Sequence, residues 1–301
     1  MITPARNEAE NLRRLGRCLT DQSVRASTWV IVDNGSEDET GAVAAGLARQ
    51  NGWVKHVTAE APAGATRAEP IVYAFHCGVH ALPMTPDVLV KLDADISVGD
   101  DFFQRLLYEF GSDPSLGIAG GIGYEQQSDG TWRQRHGTGS GVWGGCRGYR
   151  WRCLQEILPL EQRMGWDTMD LFKANVRGWR TQAFPDLPFR HHRPEGIRDG
   201  TTAARWAAQG EAARYMGYRF SYLLLKTVYR ALREPAALAI VVGYAFAAVR
   251  RDPVSGDEEM RAHVRSQQRA RQIRHRIREA RRPRQQLRSG GARSKARGRH
   301  L

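Results

Sequence analysis

Val88-Leu89-Val90-Lys91-Leu92-Asp93-Ala94-Asp95 reads as a short apolar strand that runs straight into two carboxylates. A bounded run of five mostly branched apolar residues fits a buried strand. Upstream, Trp29-Val30-Ile31-Val32 is a second such run, ending at Asp33-Asn34-Gly35. Helical patterns cover residues 8–19, 36–50 and 71–82, with a further short strand at 54–58. Strands alternating with helices imply βαβ units, hence an α/β fold with a mostly parallel sheet and ligands at the strand carboxyl ends. Both acidic clusters stand at such ends. Met1-Ile2-Thr3-Pro4 reads as the end of a strand whose beginning is missing, which suggests that the natural amino terminus lies upstream.

Downstream, residues 117–152 are glycine-rich with scattered Trp, Tyr and Arg, a pattern of short strands and loops. Helical pattern returns over residues 166–176 and Gly178 ends it. Residues 211–249 form two apolar helical stretches separated by Arg233-Glu234-Pro235. The second holds 15 uncharged residues before Arg250-Arg251. A spanning helix needs about 20, so this one is too short to cross a bilayer comfortably.

The formal net charge of +13 suggests nucleic acid until it is located. Residues 261–301 hold fifteen Arg or Lys against the single acid Glu279, a net +14 that leaves −1 for the first 260. The basicity therefore belongs to a tail. The expected division is a catalytic domain over residues 1–195, a helical and membrane-facing segment over 196–256, and a basic helical or disordered tail over 257–301. Cys18, Cys77, Cys146 and Cys153 show no CxxC pair or metal-finger spacing, as expected for reduced thiols. With no basic-then-apolar leader visible, the expected location is cytoplasmic, peripheral at the inner face of the plasma membrane.

Four constellations carry chemistry. Asp93 and Asp95 are carboxylates that repel unless a cation or partner sits between them, and such oxygen ligands suit Mg²⁺ or Mn²⁺ beside substrate phosphates. Asp33, followed by Asn34, could accept a hydrogen bond from the imide N–H of a base; equally, Asp33 and Ser36 could shape a turn and cap a helix. Asp167 and Asp170 share a helix face, where a carboxylate can act as general base or simply complement the helix dipole. His191-His192 offers metal-ligating imidazoles, but adjacent residues on an extended chain face opposite ways, so at most one enters a site.

In order, Pro4-Ala5-Arg6-Asn7-Glu8, Val32 to Asp38, Lys91 to Asp95, Gly165-Trp166-Asp167 and His191-His192 resemble the successive signatures of family 2 glycosyltransferases over residues 1–195. The resemblance implies a GT-A fold, a nucleotide-diphospho-sugar donor, Mn²⁺ or Mg²⁺, and inverting transfer to a saccharide or lipid-linked acceptor in cell-envelope or polysaccharide synthesis. By position it implies a nucleoside pocket of Pro4, Ala5 and Glu8, with Asp33 and Asn34 at the base. Asp93 falls at the ribose or at metal-bound water, Asp95 at the metal, one of His191 or His192 at the metal or diphosphate, and Asp167, with Asp170 as alternative, at the general base. Relatives often carry an Ala-Arg-Asn element where Ala74-Phe75-His76 stands here; the absent cation is replaced by Arg67 or Lys91. Trp143, Arg147, Tyr149 and Trp166 fall where relatives shape the acceptor site, with rings suited to stacking on sugars and Arg147 or Arg150 suited to a phosphate.

Two other readings compete. A sugar-nucleotide nucleotidyltransferase also uses metal-binding acids on an α/β domain, but it begins with a Gly-, Arg- and Lys-bearing phosphate loop that Pro4 to Glu8 does not supply. An inactive domain carrying a nucleic-acid-binding arm would make the tail primary, and the intact Asp93, Asp95 and Asp167 argue against it. For the tail, an anionic membrane surface is the expected partner, a merely solvated basic segment is the alternative, and nucleic acid is not expected.

Overall fold

The computed structural model describes residues 1–62, 68–126, 130–134, 141–193, 201–232 and 234–269. Arg67 and most of the basic tail lie outside these residues. In chain order the elements begin with β1 (Ile2–Ala5), α1 (Ala9–Thr20), β2 (Trp29–Asn34), α2 (Thr40–Gln50), β3 (Val54–Ala59), α3 (Glu69–His80) and β4 (Val88–Leu92). Next come β5 (Ile96–Val98), α4 (Phe102–Ser112), β6 (Leu116–Gln126), β7 (Trp132–Gln134), β8 (Cys146–Arg150), α5 (Trp151–Ile157), α6 (Trp166–Val176) and β9 (Arg180–His191). The helices α7 (Thr202–Tyr215), α8 (Phe220–Ala231), α9 (Ala239–Val249) and α10 (Glu258–Gln267) complete the described chain, with a 3-10 turn at Pro235–Leu238 before α9.

One sheet holds all nine strands, in the order β3-β2-β1-β4-β8-β6-β9-β5 with β7 hydrogen-bonded to β6. The first four are parallel, as is the long β6–β9 pair, while β8, β7 and β5 join antiparallel. Most paired residues are thus in parallel register, as the alternating pattern requires. The wholly buried β2 explains its unbroken apolar run, because helices cover both faces of this half of the sheet.

The order 3-2-1-4 reverses direction between β1 and β4. At such a switch point the connections leave in opposite directions and open a crevice beyond the strand ends. Pro4 sits on the inner strand β1, where it has no N–H to donate. The β1–β4 register is limited to Ile2 opposite Lys91, so the two strands part before Pro4. That divergence places the residues after β1 and after β4 around one opening.

Candidate active site

The β1–α1 and β2–α2 loops form one wall and are stapled together. Asn7, with a positive φ of 53°, donates its backbone N–H to Ser36 Oγ at 3.0 Å, and its side-chain oxygen accepts from Glu37 N at 2.9 Å. Glu8 N donates to Thr40 Oγ1 at 2.7 Å. Asp33, buried at the end of β2, accepts from Ser36 N at 3.2 Å, so it does shape the turn as well as face the wall. Asn34 departs from the expected base contact. Its amide donates to Pro70 O at 3.1 Å and accepts from Ala61 N at 3.0 Å, tying the chain after β3 to the start of α3.

Beyond β4, Asp93 N donates to Gly145 O at 2.8 Å, joining the Asp-x-Asp to the loop before β8. The Asp93 carboxylate is held by Lys91, whose fully buried ammonium also donates to Gly144 O at 2.9 Å. Burial raises the Asp93 pKa, against the pull of Lys91. Lys91 is therefore a support beneath the site, correcting its assignment to the donor: an ammonium that is 1% exposed cannot reach a diphosphate in the crevice.

Asp95 faces His191, with Oδ2 3.3 Å from Nε2. The β6–β9 register puts Glu125 beside the same imidazole, with Oε1 3.7 Å from Nδ1. Burial alone would lower the His191 pKa, but the carboxylates of Asp95 and Glu125 beside the ring raise it to about 9. Asp95 stays low despite burial because of His191 and Arg193. His192 points the other way, as strand alternation requires. Its Nε2 lies 2.7 Å from Ser97 Oγ and its ring meets the edge of Trp132, while burial and then Arg14 lower its pKa to about 4. Of the two histidines, His191 faces the acids Asp95 and Glu125, and His192 faces away from them.

The third acid arrives on α6. Gly165 caps this helix with φ +85°, a conformation that L side chains rarely adopt, and so turns Asp167 into the first helical turn. Gly144 and Gly145 lie between the acids: a Cβ at Gly144 would come within 3.3 Å of Asp167 Oδ2, and one at Gly145 within 3.0 Å of Asp93 Oδ2. Adjacent glycines thus let two carboxylates from distant parts of the chain approach a shared space. Asp167 is half-buried there.

Asp170 is not available as a base. It is buried, with its two oxygens taken by Arg147 and by the Tyr149 hydroxyl at 2.6 Å. Burial and then Asp170 push the Tyr149 hydroxyl well above its ordinary pKa, so it donates. Arg147 also donates to Val142 O and, at 2.9 Å, to Asp167 O. Arg147 and Tyr149 are fully buried in the interior strand β8, which rules out the expected acceptor contacts. Arg150 likewise serves backbone carbonyls of Phe110, Asp113 and Leu116. Trp166 is buried beneath the site with Lys91 and Arg147 against its ring, at 5.2 and 5.7 Å from the centroid. Trp143, half-buried, does reach the site: its ring stacks on Phe189 at 5.4 Å and meets the His191 ring at 4.6 Å.

The chain reading missed Glu125 and Arg193. Arg193 binds Glu8 and lies 3.8 Å from Asp95 Oδ2, closing the ring between the first loop and the metal-type acids. Its position directly after the histidine pair was a usable signal; Glu125 gave none. Pro4, Ala5 and Glu8 stand at the opening, with Glu8 also accepting from Asn11 at 2.7 Å. His76, in place of the relatives' cation, accepts from Leu160 N at 3.1 Å and serves the fold.

Among the described residues no three His, Cys, Asp or Glu side chains close into a cage for a metal ion. The donor set nevertheless fits Mn²⁺ or Mg²⁺. The carboxylates of Asp95 and Glu125 flank one imidazole, and these cations commonly take one or two protein ligands and complete their shell with phosphate and water.

Comparison with known proteins agrees with the fold. A mannosyltransferase from Pyrobaculum calidifontis, solved with GDP-mannose and Mn²⁺, is 17% identical with a TM-score of 0.56 over 82% of this chain and 74% of its own. GalNAc-T7, solved with UDP, GalNAc and Mn²⁺, is 14% identical with a TM-score of 0.58 over 84% of this chain and 57% of its own. Residues 1–349 of S. aureus TarS with UDP-GlcNAc give 14% identity and a TM-score of 0.53, over 70% of this chain and 64% of that one. No curated protein matches the sequence. The family model for glycosyl transferase family 2 matches residues 1–169, more than half of the chain, including Asp33, Asp93, Asp95 and Asp167, and the chain belongs to that family.

Proposed function

We propose that the protein is an inverting glycosyltransferase that moves a sugar from a nucleotide-diphosphate donor to an acceptor hydroxyl. The observation that carries this reading is the meeting of Asp93, Asp95 and His191 with Asp167 across Gly144-Gly145, over the switch point of the sheet. The wall of Pro4, Ala5, Glu8 and Asp33 receives the nucleoside. Asp95 and His191 would hold Mn²⁺ or Mg²⁺, which when bound would offset negative charge on a diphosphate leaving group.

Inversion needs a base on the face opposite the leaving group. Asp167 takes the acceptor's proton there, and Arg147 fixes the first turn of α6 that presents it. Trp143 supplies an aromatic face for the acceptor sugar beside His191. The acceptor is a saccharide or a lipid-linked saccharide. For any donor that supports turnover, NMR of the product's anomeric centre tests the assignment: inversion is expected, and retention would move the chemistry away from a single base at Asp167.

A further inference from the structure

Fourteen large hydrophobic side chains are exposed among the described residues, and ten of them lie between residues 220 and 249. On α8 these are Phe220, Leu224, Leu225, Val228, Tyr229 and Leu232, spaced at three and four residues so that they share one side of the helix. From the last residue of the 3-10 turn onward, Leu238, Val242, Phe246 and Val249 repeat the spacing, with Leu232 and Val249 each 81% exposed. The inward sides are different: Leu223 and Thr227 of α8, and Ile240, Gly243 and Ala247 of α9, are buried. The chain folds back between the helices, bringing the Phe220 ring to 5.7 Å from Tyr244 of α9. Soluble monomers rarely leave so much contiguous apolar surface in water.

We infer that the α8–α9 face lies on an anionic lipid bilayer, with its apolar side chains among the headgroups and upper acyl chains. No helix among the described residues is long and apolar enough to cross a membrane, which leaves lying on the surface as the geometry. Charge selects the partner. Exposed Arg219 and Arg251 stand at the ends of the two helices, Arg250 beside them being paired with Glu211 and Asp252, and residues 261–301 add +14 to a body of −1. That segment does not itself suit the apolar face: from residue 270 onward its large apolar residues are Ile273, Ile277, Leu287 and Leu301 among twelve Arg or Lys. Basic groups beside an apolar stripe match anionic headgroups above hydrocarbon.

The face is also joined to the catalytic helix. A Cβ at Gly243 would sit 2.0 Å from Ala207 O, and one at Gly210 would sit 2.0 Å from Ile240 O, so α9 and α7 pack backbone to backbone. On α7, Ala212 lies 3.3 Å from the Cβ position of Gly165, the cap of α6 two residues before Asp167. The α9 helix is thus linked to the cap of α6 through one intervening helix. The lipid contact does not depend on the sugar-transfer reading, and its failure leaves that reading intact.

The test is flotation of the full-length protein with phosphatidylcholine vesicles and with vesicles containing phosphatidylglycerol, at low and high salt. Stronger binding to the anionic vesicles, weakened by salt, is expected. Leu232→Ser/Phe246→Ser removes exposed apolar surface without touching the core, and should weaken vesicle binding by roughly tenfold or more. Leu225→Gln/Val242→Gln repeats the measurement on independent positions, with circular dichroism to establish folding of both. Vesicle binding by folded variants equal to the parent would overturn the proposal. So would a parent that ignores both vesicle types while sedimenting as a dimer that the same substitutions dissociate, which would assign the face to a second copy of the chain.

Discussion

Arg147→Met should be among the most destabilising substitutions in the protein. The Arg147 side chain is 0% exposed and its partner Asp170 is 1% exposed, so the variant strands a carboxylate in the interior with Tyr149 as its remaining side-chain donor. Breaking a buried pair by removing one partner costs about 3–5 kcal/mol. At about 2–4 °C per kcal/mol for a large domain, the thermal midpoint should fall by roughly 10 °C. Arg147→Met/Asp170→Leu removes both charges and should recover much of that loss. It stays below the parent by about 1–3 kcal/mol, because the Tyr149 hydroxyl and the Val142 carbonyl lose their partners. Thermal and urea unfolding of the three proteins read the series. A single variant within about 1 kcal/mol of the parent, or a double variant less stable than the single, would refute the view that this pair is a buried, mutually compensating unit.

Three further outcomes follow from the same geometry. Asp167→Asn should bind donor normally yet lose about 10²–10⁴ in turnover, the scale of general-base catalysis, whereas Asp170→Asn should act through stability; a full loss of turnover in a stable Asp170→Asn protein would reverse the roles. Asp95→Ala should abolish cation-dependent donor binding in calorimetry, and unchanged binding would displace the cation from Asp95. Because His191 titrates at about 9 rather than near its ordinary 6.5, the stability it contributes to the cation-free protein is complete below pH 6.5 and lost as pH rises to about 9. With His191 as the proposed ligand, cation binding expels the same proton, so affinity should rise with pH up to that value, and His191→Gln should flatten both profiles.

Much of this arrangement was legible in the chain, for identifiable reasons. An apolar run ending in Asp93-Ala94-Asp95 announces a strand end with paired acids, because burial and charge change abruptly there. Strand alternation implied that the two histidines face opposite ways, as they do. Which one faces the acids depends on β9 lying between β5 and β6, a pairing that no local pattern encodes. The glycine-rich stretch before residue 150 was misleading in a specific way. It reads as a loop with free arginines and aromatics, yet β8 is an interior strand between β4 and β6, and this buries Arg147 and Tyr149. Lys91 stands opposite Arg147 in that antiparallel register, so two cations share the interior, each offset by its own carboxylate. Neighbours of this kind arise from tertiary pairing and are visible only once the strands are ordered. The apolar stretches near residues 220 and 240 were plain in the sequence, but their outward direction required the helix packing.

The most direct measurement is release of nucleoside diphosphate from a panel of UDP- and GDP-sugars by the full-length protein, with Mn²⁺ and with chelator. The account predicts release from at least one donor, present with the cation and absent without it, and lost in Asp95→Ala. Release that proceeds equally in chelator and in Asp95→Ala, or no release from any donor by a folded protein supplied with Mn²⁺ and acceptor, would contradict it.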